Sequence, residues 1–243
     1  MQSSIDPAPI GTQKVWRYMS FDRFVWLLQK KQLWLARADT LGDPWEISLA
    51  GDQLAHVISR HPAIPLHLRK ERPETAMQRS ERIIRLWRRR TFINCWSASE
   101  HESHALWRIY CPPADGVAIQ STFVRLKESV GALPLYRVTY ETPGNRKATP
   151  TLADLATKKR PMFAYEQEVR IVQSTEGDFR ASREQEILGY GIKWDPERIV
   201  ESIRVHPVAN HSFMVTVVGV VENYAPVLKD CVAWSEMNKR PPF

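Results

Sequence analysis

The stretch FAYEQEVRIV, residues 163–172, decides the fold and the site, because charged and apolar residues alternate along it. In an extended strand, successive side chains point to opposite faces, so Glu166, Glu168 and Arg170 share one face. Two carboxylates held side by side repel each other unless water, a cation or a reaction uses them. The pattern therefore predicts a strand that carries a functional acidic pair, Glu166 and Glu168.

A second interpretation of the same stretch is a solvent-facing edge strand, in which Arg170 neutralises one carboxylate with little gain in stability. The flanking Phe163 and Tyr165 and the apolar end of the stretch favour a central strand instead. On such a strand, Tyr165 is expected to point away from the acidic face.

The remainder of the 243 residues mixes strand-like and helix-like segments without the regular alternation typical of a parallel sheet. We therefore expect the α+β class, with a mixed, mainly antiparallel sheet flanked by helices. The chain has 43% hydrophobic residues, which predicts a single domain over 14–243 after a flexible N-terminus at 1–13. Further strands are predicted at 14–19, 33–37, 91–99, 116–121, 133–141, 187–194 and 203–207.

Helices are predicted at 21–31, 74–90 and 101–110, and a short one begins at Pro196 after the capping residue Asp195. Ser20 stands where it can cap the first helix, whose core residues are expected to be Phe24, Leu27 and Leu28. Residues 213–221 have apolar side chains near helical spacing but a β-branched composition, so both helix and strand remain open.

The composition excludes several classes of protein. The three cysteines, Cys95, Cys111 and Cys231, are odd in number and match no paired metal spacing, which argues against a disulfide framework or a thiolate zinc site. His101 and His104 lack further ligands at a zinc-binding spacing, so no metal is expected. No stretch reaches the roughly 18 uninterrupted apolar residues of a membrane span, and no export signal is evident. We expect a cytoplasmic protein without a membrane partner.

The net charge of +7 is concentrated in residues 56–90, which hold ten Lys or Arg against three Glu. This segment belongs to an apparent basic helical insertion at about 52–90. Its helix at 74–90 has an arginine face that can attract nucleic acid or an acidic protein, although a solvated face that aids solubility explains it equally well. The arginines expected to point outward are Arg79, Arg82, Arg85, Arg89 and Arg90.

Arg17 is a candidate ligand-binding residue on the first strand. It alternates with Trp16 and Tyr18, so it is directed at a cleft if these aromatic side chains pack inward. Its planar guanidinium suits a pyrophosphate, which it can bind through paired charge-assisted hydrogen bonds. The ordinary alternative is a surface partner for Asp22 or Glu46.

The stretch CWSASEHES, residues 95–103, forms the second polar cluster. Ser97 can present its hydroxyl to a ligand from a strand, whereas the alternative is turn chemistry alone. Ser99 and Glu102 have the spacing of a capping box for the helix at 101–110.

Four stretches together resemble one bacterial family. They are WRYMSFDRFVWLLQKKQLWLARADTLGDPWE at 16–46, CWSASEHESHALWRIY at 95–110, GVAIQS at 116–121 and YEQEVRIV at 165–172. In this order they are similar to domain of unknown function 2971, over about residues 14–237. The most specific parts are the turn at 43–46, the pair Trp107 and Tyr110, and residues 166–170. This family name implies no activity.

The three polar clusters, taken in order, also resemble the sites of ADP-ribosyltransferases of the arginine, serine and glutamate type. The matching residues are Arg17, the Ser-Ala-Ser motif at 97–99 and the Glu-Gln-Glu motif at 166–168. The resemblance implies a split sheet, NAD as the substrate and a role as a bacterial toxin or defence effector.

The same resemblance implies roles for individual residues. Glu168 would stabilise the positive charge that develops on the ribose when the nicotinamide bond breaks, and Glu166 would orient or deprotonate an acceptor. Arg17 would hold the pyrophosphate and Ser97 would position the nicotinamide-side ribose. An aromatic shelf would come from Tyr18 or Trp107.

Two other function classes remain open from the residues alone. In a metal-dependent nuclease, Asp43, Glu46, Glu166 and Glu168 would collect a divalent cation, and the basic helix would hold nucleic acid. In a binding module without catalysis, the acidic pair would have no chemical role.

Overall fold

The structure, a computed structural model, describes residues 11–48, 76–111, 113–142, 151–174 and 187–239. Most of the expected flexible N-terminus and residues 52–75 of the expected basic insertion lie outside these ranges. Across the described residues, no helix is long and apolar enough to cross a membrane.

Within the described residues, a nine-stranded sheet organises the fold. Its strands are β1 (Lys14–Ser20), β2 (Gln32–Arg37), β3 (Thr91–Ala98), β4 (Gly116–Thr122), β5 (Leu135–Arg137), β8 (Glu168–Ser174), β9 (Gly189–Lys193), β10 (Ser202–Val205) and β11 (Val232–Trp234). Along one path they follow the order β11-β10-β4-β1-β3-β2-β9, while β8 lies on the other edge of β3 and pairs in turn with β5. Neighbours in this sheet are antiparallel except β10 and β11, so the predicted mixed, mainly antiparallel α+β fold is confirmed. A separate parallel pair consists of β6 (Thr139–Tyr140) and β7 (Lys158–Lys159).

The sheet splits along one edge of β3. On this edge β3 pairs with β1 through Ser97 and Ala98 and with β2 through Phe92 and Ile93. Residues 94–96 lie between these two contacts, where β1 and β2 diverge. On its other edge β3 pairs with β8 continuously from Thr91 to Ser97. The predicted split sheet is therefore present, and it opens a gap in the middle of the molecule.

Seven helices accompany the strands in the described ranges. They are α1 (Phe21–Lys30), α2 (Ala76–Arg90), α3 (His104–Tyr110), α4 (Phe123–Ser129), α5 (Leu152–Ala156), α6 (Pro196–Ile199) and α7 (His211–Tyr224). The ambiguous segment at 213–221 thus belongs to a helix, whose Val217 and Val221 enter the main core. This core also contains Phe24, Leu27 and Leu28 of α1, as their helical spacing predicted.

The other face of the sheet carries two smaller apolar clusters. One includes Trp87 of α2, Ile93 of β3 and Val172 of β8. The second joins Trp16 and Tyr18 of β1 to α3. Ile93 and Ser97 are four positions apart on β3, and Glu168 and Val172 are four positions apart on β8. Because side chains alternate along a strand, Ser97 and Glu168 share this face with the apolar cluster. The candidate site therefore lies between two patches of packed core.

The stretch at 163–172 differs from its predicted form. Residues Pro161–Glu166 form a 3₁₀ helix, and Gln167 adopts a left-handed conformation with φ 44° before β8 begins. Glu166 therefore precedes the strand and does not share a strand face with Glu168. Strand alternation holds only from Glu168 onward, where Arg170 lies on the same face.

Two predicted helix caps also differ. Ser20 occupies the N-cap position of α1 but makes no side-chain cap hydrogen bond. Helix α3 begins at His104, and Ser103 caps it by accepting a hydrogen bond from the backbone N–H of Leu106. The predicted capping box of Ser99 and Glu102 is therefore wrong. The cap of α6 by Asp195 is confirmed.

Candidate active site

The gap between β1 and β2 opens into a cavity of about 1080 Å³. This volume lies at the upper end of the range found for ligand pockets. Most of the sequence candidates line it, although they lie far apart in the chain: Arg17, Tyr18, Asp43, Glu46, Ser97, Glu166, Glu168 and Arg170. The cavity is therefore where the polar clusters found in the sequence meet.

Glu168 is buried at the start of β8 and is bound by two cations. Arg170 donates from Nε to Glu168 Oε2 over 2.6 Å, and Lys159 Nζ lies 3.2 Å from Oε1. Burial alone raises the pKa of Glu168, but the charges of Arg170 and Lys159 outweigh it and hold the pKa below its ordinary value. Glu168 is therefore ionised near neutral pH.

Arg170 is completely buried and uses most of its donors. Its Nη1 and Nη2 atoms form a bidentate pair with Glu46 at 2.8 and 2.7 Å, and Nη1 also donates to the carbonyl of Ala156 at 2.7 Å. Burial lowers the pKa of Arg170, but Glu168 and Glu46 raise it well above its ordinary value. Arg170 is thus a permanent cation that links two carboxylates.

Glu166 stands beside Glu168 because Lys159 bridges them. The ammonium of Lys159 contacts Glu166 Oε2 as well as Glu168, and Tyr110 donates from its hydroxyl to Glu166 Oε1 over 3.0 Å. Burial and the negative charge of Glu168 raise the pKa of Glu166 above its ordinary value. The pKa of Glu166 is therefore raised and that of Glu168 is lowered from the same ordinary value. Two neighbouring carboxyls whose pKa values are shifted apart in this way are typical of acid–base pairs in active sites.

Ser97 is buried on β3 directly opposite Glu168 on β8. The preceding position on the same face of β3 is Cys95, which lies opposite Arg170. Burial and the charge of Glu168 raise the pKa of the Cys95 thiol to about 12, so this cysteine is an unreactive thiol.

Arg17 reaches the cavity from a different direction. Its neighbour Trp16 lies opposite Ser97, so alternation places the Arg17 side chain on the other face of β1. It lines the cavity at the split, where its Nη1 atom is buried and has no hydrogen-bond partner among the described residues. Burial lowers the pKa of Arg17 to about 10, which still leaves a cation at neutral pH. A buried, incompletely paired guanidinium favours an anionic ligand.

The aromatic candidates have different positions. Tyr18 lines the cavity, and its hydroxyl accepts a hydrogen bond from the backbone N–H of Ser103 at 2.7 Å. Trp107 is fully buried in the α3 cluster and donates to Glu102, so it is a core residue and not a cavity wall. Tyr165 was expected to point away, yet it is half-exposed and lines the cavity, because it belongs to the 3₁₀ helix before β8.

The carboxylates proposed for a nuclease are already paired with protein cations. Asp43 accepts from Arg160 at 2.9 Å, Glu46 from Arg170, and Glu166 from Lys159. Within the described part of the chain, no group of three or more His, Cys, Asp or Glu side chains is arranged to hold a metal ion. In the structure these carboxylates are therefore neutralised by Lys159, Arg160 and Arg170.

The basic helix α2 ends beside the cavity. Arg88 donates from Nε to the carbonyl of Glu46 at 2.6 Å and also contacts the carbonyl of Pro44. Of the predicted outward arginines, Arg85 and Arg89 are exposed, whereas Arg82 and Arg90 are partly buried. The side chain of Arg79 lies outside the described part of the structure.

Sequence analysis missed Lys159 and Tyr110 as members of the site. Lys159 stands in the run Lys158-Lys159-Arg160, which resembles an ordinary solvated charge cluster. The three cations of this run instead pair with three separate acids, which are Glu141, Glu166 and Asp43 respectively. The Pro161 that follows, which begins the 3₁₀ helix, is the one local signal of an irregular backbone there.

No family model matches the chain, so membership of domain of unknown function 2971 is not supported. No curated protein matches it either. Among solved structures, the chain is similar to DarT from Thermus sp. 2.9 in complex with ADP-ribosylated ssDNA. The sequence identity is 11%, the alignment covers 99% of this chain and 100% of that chain, and the TM-score is 0.44.

Proposed function

We propose that this protein cleaves NAD and transfers ADP-ribose to an acceptor. One observation carries the proposal. Ser97 and Glu168 lie opposite each other on adjacent strands, and the buried guanidinium of Arg17 lines the same cavity. A cation and an ionised carboxylate in one cavity suit a substrate with an anionic pyrophosphate and a ribose that becomes positively charged during the reaction.

The chemistry assigns different roles to the two glutamates. The bond between ribose C1 and the nicotinamide nitrogen breaks, and its electron pair leaves with nicotinamide, so positive charge develops on C1 and the ring oxygen. Ionised Glu168 stabilises this charge. The acceptor then forms a bond to C1 and loses a proton, which Glu166 accepts, since its raised pKa makes it the stronger base.

The contacts of Glu168 indicate which oxygen faces the substrate. Oε2 is held by Arg170 at 2.6 Å, whereas Oε1 makes a longer contact, with Lys159 at 3.2 Å. We assign Oε1 to a ribose hydroxyl, which takes the place of the Lys159 contact. Arg17 binds the pyrophosphate, Ser97 positions the nicotinamide-side ribose, and Tyr18 contributes an aromatic wall.

The direct test is release of nicotinamide from NAD by the wild-type protein, measured by chromatography, together with calorimetric titration by NAD. The proposal expects both binding and release. A protein that binds NAD without releasing nicotinamide is a binding module, and one that neither binds nor cleaves NAD refutes the proposal.

Replacing Glu166 with Gln should separate transfer from hydrolysis. Loss of a general base typically costs about 100-fold or more, so we expect label transfer from NAD to fall by about this factor. Release of nicotinamide to water should fall much less, because water is present at high concentration. The assay is biotin-labelled NAD with a pool of random single-stranded DNA and RNA, beside nicotinamide release in the same tube.

The pH dependence of label transfer tests the same role of Glu166. Since the folded-state pKa of Glu166 is raised, the base becomes active only as pH rises above the ordinary carboxyl value of about 4.3. In wild type, the rate of transfer should therefore rise with pH, and this rising limb of the pH profile should lie above the ordinary carboxyl value. The limb should disappear in Glu166→Gln, and its persistence there would assign the base to another residue.

We also propose that α2 binds a nucleic-acid acceptor. The helix ends beside the cavity, Arg85 and Arg89 are exposed on it, and Trp45 lies half-exposed under the guanidinium of Arg160 at 5.7 Å. Cationic and aromatic side chains at one rim suit the phosphates and bases of a single strand.

Binding of single-stranded DNA and RNA should weaken steeply between about 50 and 200 mM salt, because phosphate contacts release counterions. Replacing both Arg85 and Arg89 with Ala should reduce the slope of log affinity against log salt concentration by about two. Arg125→Ala is the matched control, since Arg125 is a similarly exposed arginine that is ion-paired elsewhere. Equal slopes for both variants, or no binding at low salt, would leave α2 as a solvated face or a surface for an acidic protein.

A further inference from the structure

We infer that Glu46 is a positioning residue, which holds Arg170 so that Arg170 fixes the carboxylate of Glu168 in the cavity. The inference rests on the proposed function and adds a residue that acts on Glu168 through Arg170. Glu46 comes from the turn after β2, whereas Arg170 lies 124 positions later on β8.

The contacts form a continuous chain of charged groups. Both oxygens of Glu46 accept from the two terminal nitrogens of Arg170, and the third nitrogen of Arg170 donates to Glu168 Oε2. All three side chains are at least nine-tenths buried. A bidentate pair fixes the plane of the guanidinium, so the direction of its Nε–H bond is fixed as well. Glu46 therefore determines where the carboxylate of Glu168 points.

The turn that carries Glu46 is itself anchored at several points. Arg88 donates to the carbonyls of Pro44 and Glu46, and Arg160 pairs with Asp43. Ile47, the next residue, is completely buried. Such anchoring is what a positioning residue needs, since a carboxylate on a mobile loop would not fix its partner.

Glu46 also influences the second cation of the site. Its Oε1 atom lies 3.9 Å from Lys159 Nζ, which in turn bridges Glu166 and Glu168. Removing the negative charge of Glu46 leaves both Arg170 and Lys159 more strongly drawn to the two remaining carboxylates.

The experiment compares Glu46→Gln with Glu102→Gln in nicotinamide release and NAD titration. Glu102 is a matched control, because its carboxylate is also buried and accepts several hydrogen bonds, from Trp107, Ser235 and the backbone N–H of Glu236, but does not line the cavity. We expect Glu46→Gln to reduce kcat by about 10- to 100-fold with KM for NAD within about twofold. A similar kcat loss in Glu102→Gln, or none in folded Glu46→Gln, overturns the inference.

A double-variant cycle distinguishes positioning from a general structural role. If Glu46 acts through Glu168, then adding Glu46→Gln to Glu168→Gln should cost less than about a further twofold in kcat. Losses that multiply would show that Glu46 acts independently and would overturn the inference.

A measurement that needs no catalysis separates failure of this inference from failure of the proposed function. Carbon-13 NMR of labelled Glu carboxyl groups follows the titration of Glu166 and Glu168 in wild type and Glu46→Gln. The inference expects lower pKa values for these carboxyls in the variant. If wild type releases no nicotinamide, the proposed function fails, and unchanged carboxyl titration then overturns the Glu46 coupling as well.

Discussion

Glu168→Gln is expected to reduce nicotinamide release by on the order of 100-fold or more while NAD still binds. Glutamine has nearly the same shape as glutamate but lacks the negative charge. That charge is needed where positive charge develops on the ribose and much less in the bound ground state, so the loss should appear in kcat and not in KM. The measurement is steady-state nicotinamide release with calorimetric NAD binding.

The control for Glu168→Gln is its fold, checked by circular dichroism and thermal unfolding. The substitution leaves Arg170 still paired with Glu46 through two hydrogen bonds, so the buried cation keeps a partner and the protein should remain folded. A folded Glu168→Gln protein as active as wild type would refute the assignment of Glu168. A folded variant that no longer binds NAD would instead give this residue a binding role.

Arg170→Met should destabilise the protein by about 3–5 kcal/mol, because Glu46 and Glu168 would remain buried without the guanidinium that hydrogen-bonds both, and Lys159 lies 3.9 Å from Glu46. The loss should be read from urea unfolding monitored by circular dichroism. Arg204→Met is a suitable comparison, since Arg204 is a partly exposed arginine whose contacts with Glu102 and Glu236 are 4.0 and 3.8 Å. The comparison variant should lose no more than about 1 kcal/mol.

The cost of Arg170→Met should depend on pH. In wild type the pKa of Glu168 is lowered, so its ionised form contributes stability above the ordinary carboxyl pKa, and this contribution is lost as pH falls through the folded-state value. Without Arg170 the buried carboxylates take up protons more readily. The difference between variant and wild type should therefore be largest near neutral pH and shrink in acid. An equal difference at both pH values would point to lost packing instead of lost charge pairing.

Sequence periodicity was sufficient where one local rule decides the structure. The period of 3.6 residues placed Phe24, Leu27 and Leu28 of α1 in the core, and the period of two placed Glu168 and Arg170 on one face of β8. The resemblance to ADP-ribosyltransferase sites implied that Arg17, Ser97 and Glu168 share one site, and in the structure all three line one cavity.

Local patterns failed where the backbone leaves regular geometry. Gln167 has a left-handed conformation, which interrupts the strand alternation between Glu166 and Glu168. Neither glutamine nor its sequence neighbours predict a left-handed residue at this position. Trp107 was one of two candidates for an aromatic shelf, yet its position on α3 places it in the core, whereas Tyr110 of the same helix reaches Glu166. A helix end has a polar and an apolar side, and only packing decides which side meets a cavity.

By itself the sequence determined the α+β class, the approximate ranges of most strands and helices, and several of the residues that line the cavity. Only the tertiary structure decided how their charges are paired. Lys159 bridges Glu166 and Glu168 because β7 pairs with β6 beside the 3₁₀ helix, and Glu46 reaches Arg170 across 124 positions. The physical reason is that ion pairs depend on distance in space, which local periodicity does not record. The same carboxylates could have held a metal or faced solvent until folding placed two buried cations among them.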